Sequence, residues 1–153
     1  MLLRPLLTAL AVVFAASDAS AQERQWSLDA SDQDAYLIFG VPETDDVGVS
    51  LWCPVRQGVV NIFMPEVGES TATAKEVTMT VTAEDQSAEF SGKTEENLDA
   101  GVSSVEGQLP ADHAIFATLL KTDRFHIKAG GEDRVFPLIE ADLAGLVALC
   151  RKN

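Results

Sequence analysis

The sequence predicts an α+β domain: a mainly antiparallel sheet or partly open β-barrel carrying two helices. Short stretches of alternating or continuous apolar character, split by turn residues, run from Trp26 to Leu109. After Pro110 the apolar period becomes helical, reverts to a strand pair, and becomes helical again to the end. The two cysteines, Cys53 and Cys150, each fall on an apolar phase, one in a strand and one in the last helix. Strands first, then helix, hairpin and helix is the α+β order, with the helices on one side of the sheet.

Trp26-Ser27-Leu28-Asp29-Ala30 alternates and opens the sheet, followed by the polar turn Ser31-Asp32-Gln33-Asp34. Residues 36–41 are an unbroken apolar run, as expected of a strand covered on both faces. Pro42-Glu43-Thr44-Asp45-Asp46 is turn chemistry: proline presets φ and the Asp side chains accept from nearby backbone N–H groups. Val47, Val49, Leu51 and Cys53 then alternate with Gly48, Ser50 and Trp52, which aims Cys53 at the core. Val55-Arg56-Gln57-Gly58 connects to a strand over 59–64 that Pro65 is expected to stop. Residues 68–75 are small and polar and read as a loop.

Residues 77–82 are the cleanest alternation, one face apolar and the other all threonine. They pair through Ala83-Glu84-Asp85-Gln86 with Ser87-Ala88-Glu89-Phe90-Ser91, whose Ala88 and Phe90 face inward. An acidic loop is expected over 94–101, then a strand over 102–109 whose phase slip between Val102 and Val105 suggests a bulge. Pro110-Ala111-Asp112 opens a helix with proline in the first turn and an acid at the positive dipole end. Its stripe is Ile115, Phe116, Leu119 and Leu120. Residues 124–129 alternate, Gly130-Gly131-Glu132-Asp133 is a hairpin loop, and Arg134-Val135-Phe136 returns. After Pro137 a last helix places Ile139, Leu143, Leu146, Val147 and Cys150 on one face.

Residues 1–21 have the build of a cleavable signal: Arg4, an apolar run over 6–16, and Ala19-Ser20-Ala21 before Gln22. The run is too short to span a bilayer. Residues 22–153 then form a single soluble domain, periplasmic or secreted, with no further membrane span. Arg4 and Asp18 cancel, so the formal charge of −13 belongs to that domain. So acidic a surface argues against nonspecific nucleic-acid binding and against adhesion to anionic membranes.

Two cysteines after an export signal are most simply a Cys53–Cys150 disulfide, which would pin the last helix across the sheet. The alternative, a reactive or metal-binding thiol pair, lacks a CxxC or a Cys–His spacing. The stretch YLIFGVPETDDVGVSLWC, with a closing helix that ends in cysteine, resembles a group of small exported proteins of Gram-negative, chiefly alphaproteobacterial, species. The resemblance spans the mature chain and implies a periplasmic location and the Cys53–Cys150 bond. It lends no activity and no catalytic residue.

Chemistry is sparse. His126 sits between Arg124 and Lys128 on an outward strand face, and His113 lies in a first helical turn beside Asp112. Neither has a serine or cysteine partner at a recognisable spacing, so both read as solvated histidines. The acid clusters Asp29/Asp32/Asp34, Glu43/Asp45/Asp46 and Glu95/Glu96/Asp99 lack the spacing of a calcium loop and read as solubilising. No metal, cofactor or catalytic residue is expected, and the domain reads as non-enzymatic.

Ser91-Gly92-Lys93 resembles the inserting loop of periplasmic lysozyme inhibitors, which makes an inhibitor or modulator of an envelope hydrolase the second reading. The first rests on a charge asymmetry. Of eleven Lys and Arg, ten remain after Arg4 is set aside, and Lys121, Arg124, Lys128 and Arg134 crowd four of them into residues 121–134. With His126 they form a positive stripe suited to an anionic partner, unless it serves only to blunt an edge strand. The expected role is binding of a protein or cell-envelope component through that stripe, with Trp52 a further contact residue.

Overall fold

The computed structural model describes residues 22–68, 75–97 and 102–153. The expected signal segment 1–21, most of the 68–75 loop and the end of the acidic 94–101 loop lie outside the described residues. The chain runs β1 (Gln25–Ala30), β2 (Asp34–Gly40), β3 (Val47–Pro54), β4 (Val59–Val67), β5 (Glu76–Ala83), β6 (Gln86–Asn97) and β7 (Val102–Pro110). Helix α1 (Ala114–Leu119), the hairpin β8 (Arg124–Ala129) and β9 (Glu132–Pro137), and helix α2 (Leu143–Cys150) complete it. One sheet holds all nine strands in the order β1-β2-β3-β4-β7-β6-β5-β8-β9, every neighbour antiparallel.

The sheet curls about one core as a half-barrel. Inward side chains from the strands, among them Leu37, Leu51, Ile62, Met64, Met79, Val81 and Ile127, meet Ile115, Phe116 and Leu119 of α1 and Leu143, Leu146 and Val147 of α2. Helix α2 packs on β2–β4 and α1 on β5–β6. The edges β1 and β9 share no ladder among the described residues, and side chains join them instead. The Trp26 indole N–H donates to the Pro137 carbonyl at 2.7 Å, and Trp26, Phe39, Phe125 and Phe136 form a connected ring cluster across the seam. Such amphipathic rings bury area while the indole N–H satisfies an edge carbonyl that no strand reaches.

Cys53 and Cys150 are bonded, with Cα atoms 5.7 Å apart. Beside the bond, the β3–β4 turn holds the end of α2. Arg56 N–H donates to Leu149 O at 2.8 Å and Gly58 N–H to Cys150 O at 2.7 Å. These satisfy carbonyls that a helix end otherwise leaves open. Gly58 adopts φ +78°, a conformation open to glycine at no steric cost, as the turn requires.

Several local expectations are corrected. Pro65 does not stop β4: the strand passes it through a shift of register between Met64 and Val67, with Glu66 at φ +55°. The bulge expected in β7 between Val102 and Val105 is absent: β7 pairs with β6 without interruption and turns Val102 outward, and the extra residue lies in β4. Strand β6 runs into the expected acidic loop as far as Asn97, because the ladder to β7 continues to Val102. The β2 strand is not covered on both faces, since Tyr36 points outward and is 37% exposed.

Helix α1 starts at Ala114 rather than at Pro110, which still belongs to β7. Its N-cap is His113, whose Nδ1 accepts from Ile115 N–H at 3.1 Å, so this histidine has a backbone partner rather than only solvent. Leu120 and Ile139 leave their expected stripes and are 45% and 66% exposed, the first as the C-cap of α1 and the second ahead of α2. The β8–β9 turn contracts to Gly130 and Gly131, with Glu132 and Asp133 already in β9.

Candidate functional site

A groove of about 790 Å³ lies on the outer face of β5 and β8. Alternation builds it. Along β8 the side chains of Phe125, Ile127 and Ala129 enter the core, which leaves Arg124, His126 and Lys128 in a row on the exposed face. On β5 the same rule turns Thr80 and Thr82 outward, opposite Lys128 and His126. Asp133 of β9 is register partner to Lys128, and its Oδ1 lies 3.5 Å from His126 Nδ1. Glu84 in the β5–β6 turn and Thr122 and Asp123 before β8 wall the groove at its Arg124 end.

Arg124, His126 and Lys128 therefore share one exposed strand face, as the alternation implies, and all three line the groove. Neither Arg124 nor Lys128 has an ion-pair partner within 4 Å among the described residues, whereas His126 has Asp133. The stripe is not purely positive, however. Three acids, Glu84, Asp123 and Asp133, line the same groove as the three basic side chains, and no wholly apolar side chain does.

The remaining stripe residues go elsewhere. Lys121 is exposed but lies just outside the groove wall. Arg134 leaves the stripe altogether: its place in β9 turns it to the opposite face from Asp133. There it donates from Nη1 to Pro65 O at 2.8 Å and from Nη2 to Glu66 O, and Glu132 accepts from Gly68 N–H at 3.0 Å. This pair fastens β9 to the bulged end of β4 and is structural. Trp52 is outward on β3, separated from β8 in the sheet by β4, β7, β6 and β5. It stacks on Tyr36 with centroids 5.6 Å apart, and its indole N–H donates to Glu106 at 2.8 Å. It takes no part in the groove.

Ser91-Gly92-Lys93, the stretch that resembles an inserting loop and otherwise reads as a strand-to-turn junction, lies in neither a loop nor a junction. All three residues sit inside β6, with Gly92 buried and Lys93 opposite Glu76 on one side and Glu106 on the other. Gly92 and Lys93 are thus held by neighbouring strands on both edges. Among the described residues no three His, Cys, Asp or Glu side chains converge as a metal site. No helix of the described residues is long and apolar enough to cross a membrane.

Sequence reasoning missed the acids and hydroxyls of the groove. The threonine face of β5 was visible as a pattern, but its contact with β8 joins strands that are not consecutive in the chain, and local patterning carries no signal for that pairing. No family model, no curated protein and no solved structure matches the chain.

Proposed function

We propose that this is a non-catalytic binding domain of the bacterial periplasm, related to the small exported proteins its PETDD turn and cysteine pair resemble. It holds a protein or cell-envelope component in the β5–β8 groove. The observation that carries the reading is the pair of cations Arg124 and Lys128, without ion-pair partners among the described residues, flanking His126 on the floor of a groove in a chain of net charge −13. A strand that needs only solubility can present any hydrophilic residues. A row of three basic side chains on an acidic molecule instead gives a local field that orients a charged partner and raises its rate of encounter. The disulfide fits an oxidising compartment.

In-cell crosslinking of the exported protein, followed by mass spectrometry, tests this. The triple variant Arg124→Glu, His126→Glu, Lys128→Glu is run beside the parent. All three side chains are exposed, so the variant is expected to fold, with circular dichroism as the control. A partner captured by the parent and lost by the variant is the expected result. Retention of every crosslinked partner by the variant would remove the groove from the function.

A further inference from the structure

We infer that the groove's ligand is a short extended peptide segment with both termini charged, its ammonium group at the Glu84–Asp123 end and its carboxylate at the Lys128 end. The inference rests on the groove reading above and narrows its charged partner to a zwitterion. A polyanion would meet Arg124 and Lys128 but also three carboxylates, and like charges in one groove cost affinity for the wrong partner. An acyl chain would find no apolar wall among the lining residues.

The signs are also separated along the strand. Thr80 and Thr82 stand opposite Lys128 and His126, so Glu84, two residues further on, falls at the Arg124 end. Glu84 and Asp123 outnumber Arg124 there. At the other end Lys128 faces a single acid, Asp133, whose carboxylate is also 3.5 Å from the His126 ring. The Glu84–Asp123 end of the groove is thus the more negative and the Lys128 end the more positive. Arg124 and Lys128 are four residues apart in a strand, which at about 3.4 Å per residue is roughly 13–14 Å. An extended peptide of about four residues has the same length from terminus to terminus. Thr80, Thr82 and Thr122 supply hydroxyls along the path for its amide groups.

Titrations of the isotopically labelled mature protein, followed by NMR, provide the test. The probes are tetra-alanine with free termini, its N-acetyl form, its C-terminal amide and a poly-glutamate. Tetra-alanine is expected to shift the amides of β8 and the β5–β6 turn. N-acetylation is expected to weaken binding at least about threefold, the scale of an exposed charge contact, and amidation likewise. Glu84→Gln with Asp123→Asn should weaken tetra-alanine but not its N-acetyl form. Lys128→Gln should weaken tetra-alanine but not the amide. Equal affinity for the capped and free peptides, or no groove shift at millimolar tetra-alanine, overturns the inference. Tighter binding of poly-glutamate, lost in the Arg124, His126, Lys128 triple variant, also overturns it while leaving the binding-domain reading intact.

Discussion

The indole N–H of Trp26 in β1 donates to the carbonyl of Pro137 at the end of β9, 2.7 Å away and 111 residues on in the chain. Between them lies the seam of the half-barrel, and no backbone ladder crosses it among the described residues. Pro137 suits the position because it has no N–H to leave unpaired on an open edge. Its carbonyl still needs a donor, and Trp26 supplies one while its ring packs on Phe39 and Phe125. The seam is therefore closed by side chains.

Trp26 should accordingly separate ring packing from the hydrogen bond. Trp26→Phe keeps an aromatic ring and loses the donor, an expected loss of about 1 kcal/mol. Trp26→Ala removes both and is expected to cost about 3 kcal/mol. Urea denaturation of the three proteins reads both numbers. A phenylalanine variant as stable as the parent would show that the N–H contributes nothing and that ring contact alone closes the seam.

Arg134 makes the second tie. Its guanidinium reaches two successive carbonyls, Pro65 and Glu66, which the bulge in β4 turns toward β9. Arg134→Met is expected to lose about 2 kcal/mol, since the half-buried Pro65 carbonyl, the exposed Glu66 carbonyl and Glu132 are left without their charged donor. Arg134→Lys should recover less than half of that, because an ammonium lacks the planar fork. Groove binding should be unchanged in both, as the side chain lies on the other face. Loss of partner capture in Arg134→Lys at full stability would put Arg134 back in the binding surface.

The disulfide encloses a sequence separation of 97 residues. In the chain-entropy model a loop of that size is worth about 4–5 kcal/mol. Cys53→Ser and Cys150→Ser should each lose that bond, and the double variant should lose little more, because all three remove the same constraint. Thermal melts of the three variants are the check. Additive losses would mean that each cysteine contributes through its own packing. The hydrogen bonds of Arg56 and Gly58 to the helix end remain in every variant and should keep α2 docked below the transition.

What could be read from the sequence was whatever is periodic. The alternation of β3 and the helical spacing of α2 each aimed one cysteine inward, and the bond joins them. The row Arg124, His126, Lys128 was legible for the same reason. Features set by strands distant in the chain were not. Pro65 reads locally as a strand stop, yet the ladder with β7 and the Arg134 fork carry β4 past it. Arg134 belongs to the basic stripe by count but to the opposite face by register. Gly92 and Lys93 look like a turn until β5 and β7 are known to flank them. The acids of the groove come from three separate connections and strands, so no local window contains the site.

Gly92 and Gly107 form a register pair between β6 and β7, and both are buried. They leave room for larger neighbours rather than for a turn. A Cβ on Gly107 would sit 2.5 Å from Cε2 of Phe90, and one on Gly92 would sit 2.6 Å from Sδ of Met79. Bare strand glycines weaken a sheet unless another side chain covers them, and here the ring of Phe90 and the thioether of Met79 do so. Gly107→Ala is expected to cost about 1–3 kcal/mol by overpacking. Gly92→Ala should cost less where the flexible Met79 can move aside, as long as Val105, 2.8 Å from the new atom, also yields. In a Phe90→Leu background the ring clash is gone, and the penalty of Gly107→Ala should shrink by about 1 kcal/mol or more. A double-mutant cycle by chemical denaturation measures that coupling. An identical Gly107→Ala cost in both backgrounds would mean that Phe90 does not set the requirement for glycine, and that the backbone of β7 itself resists the added methyl.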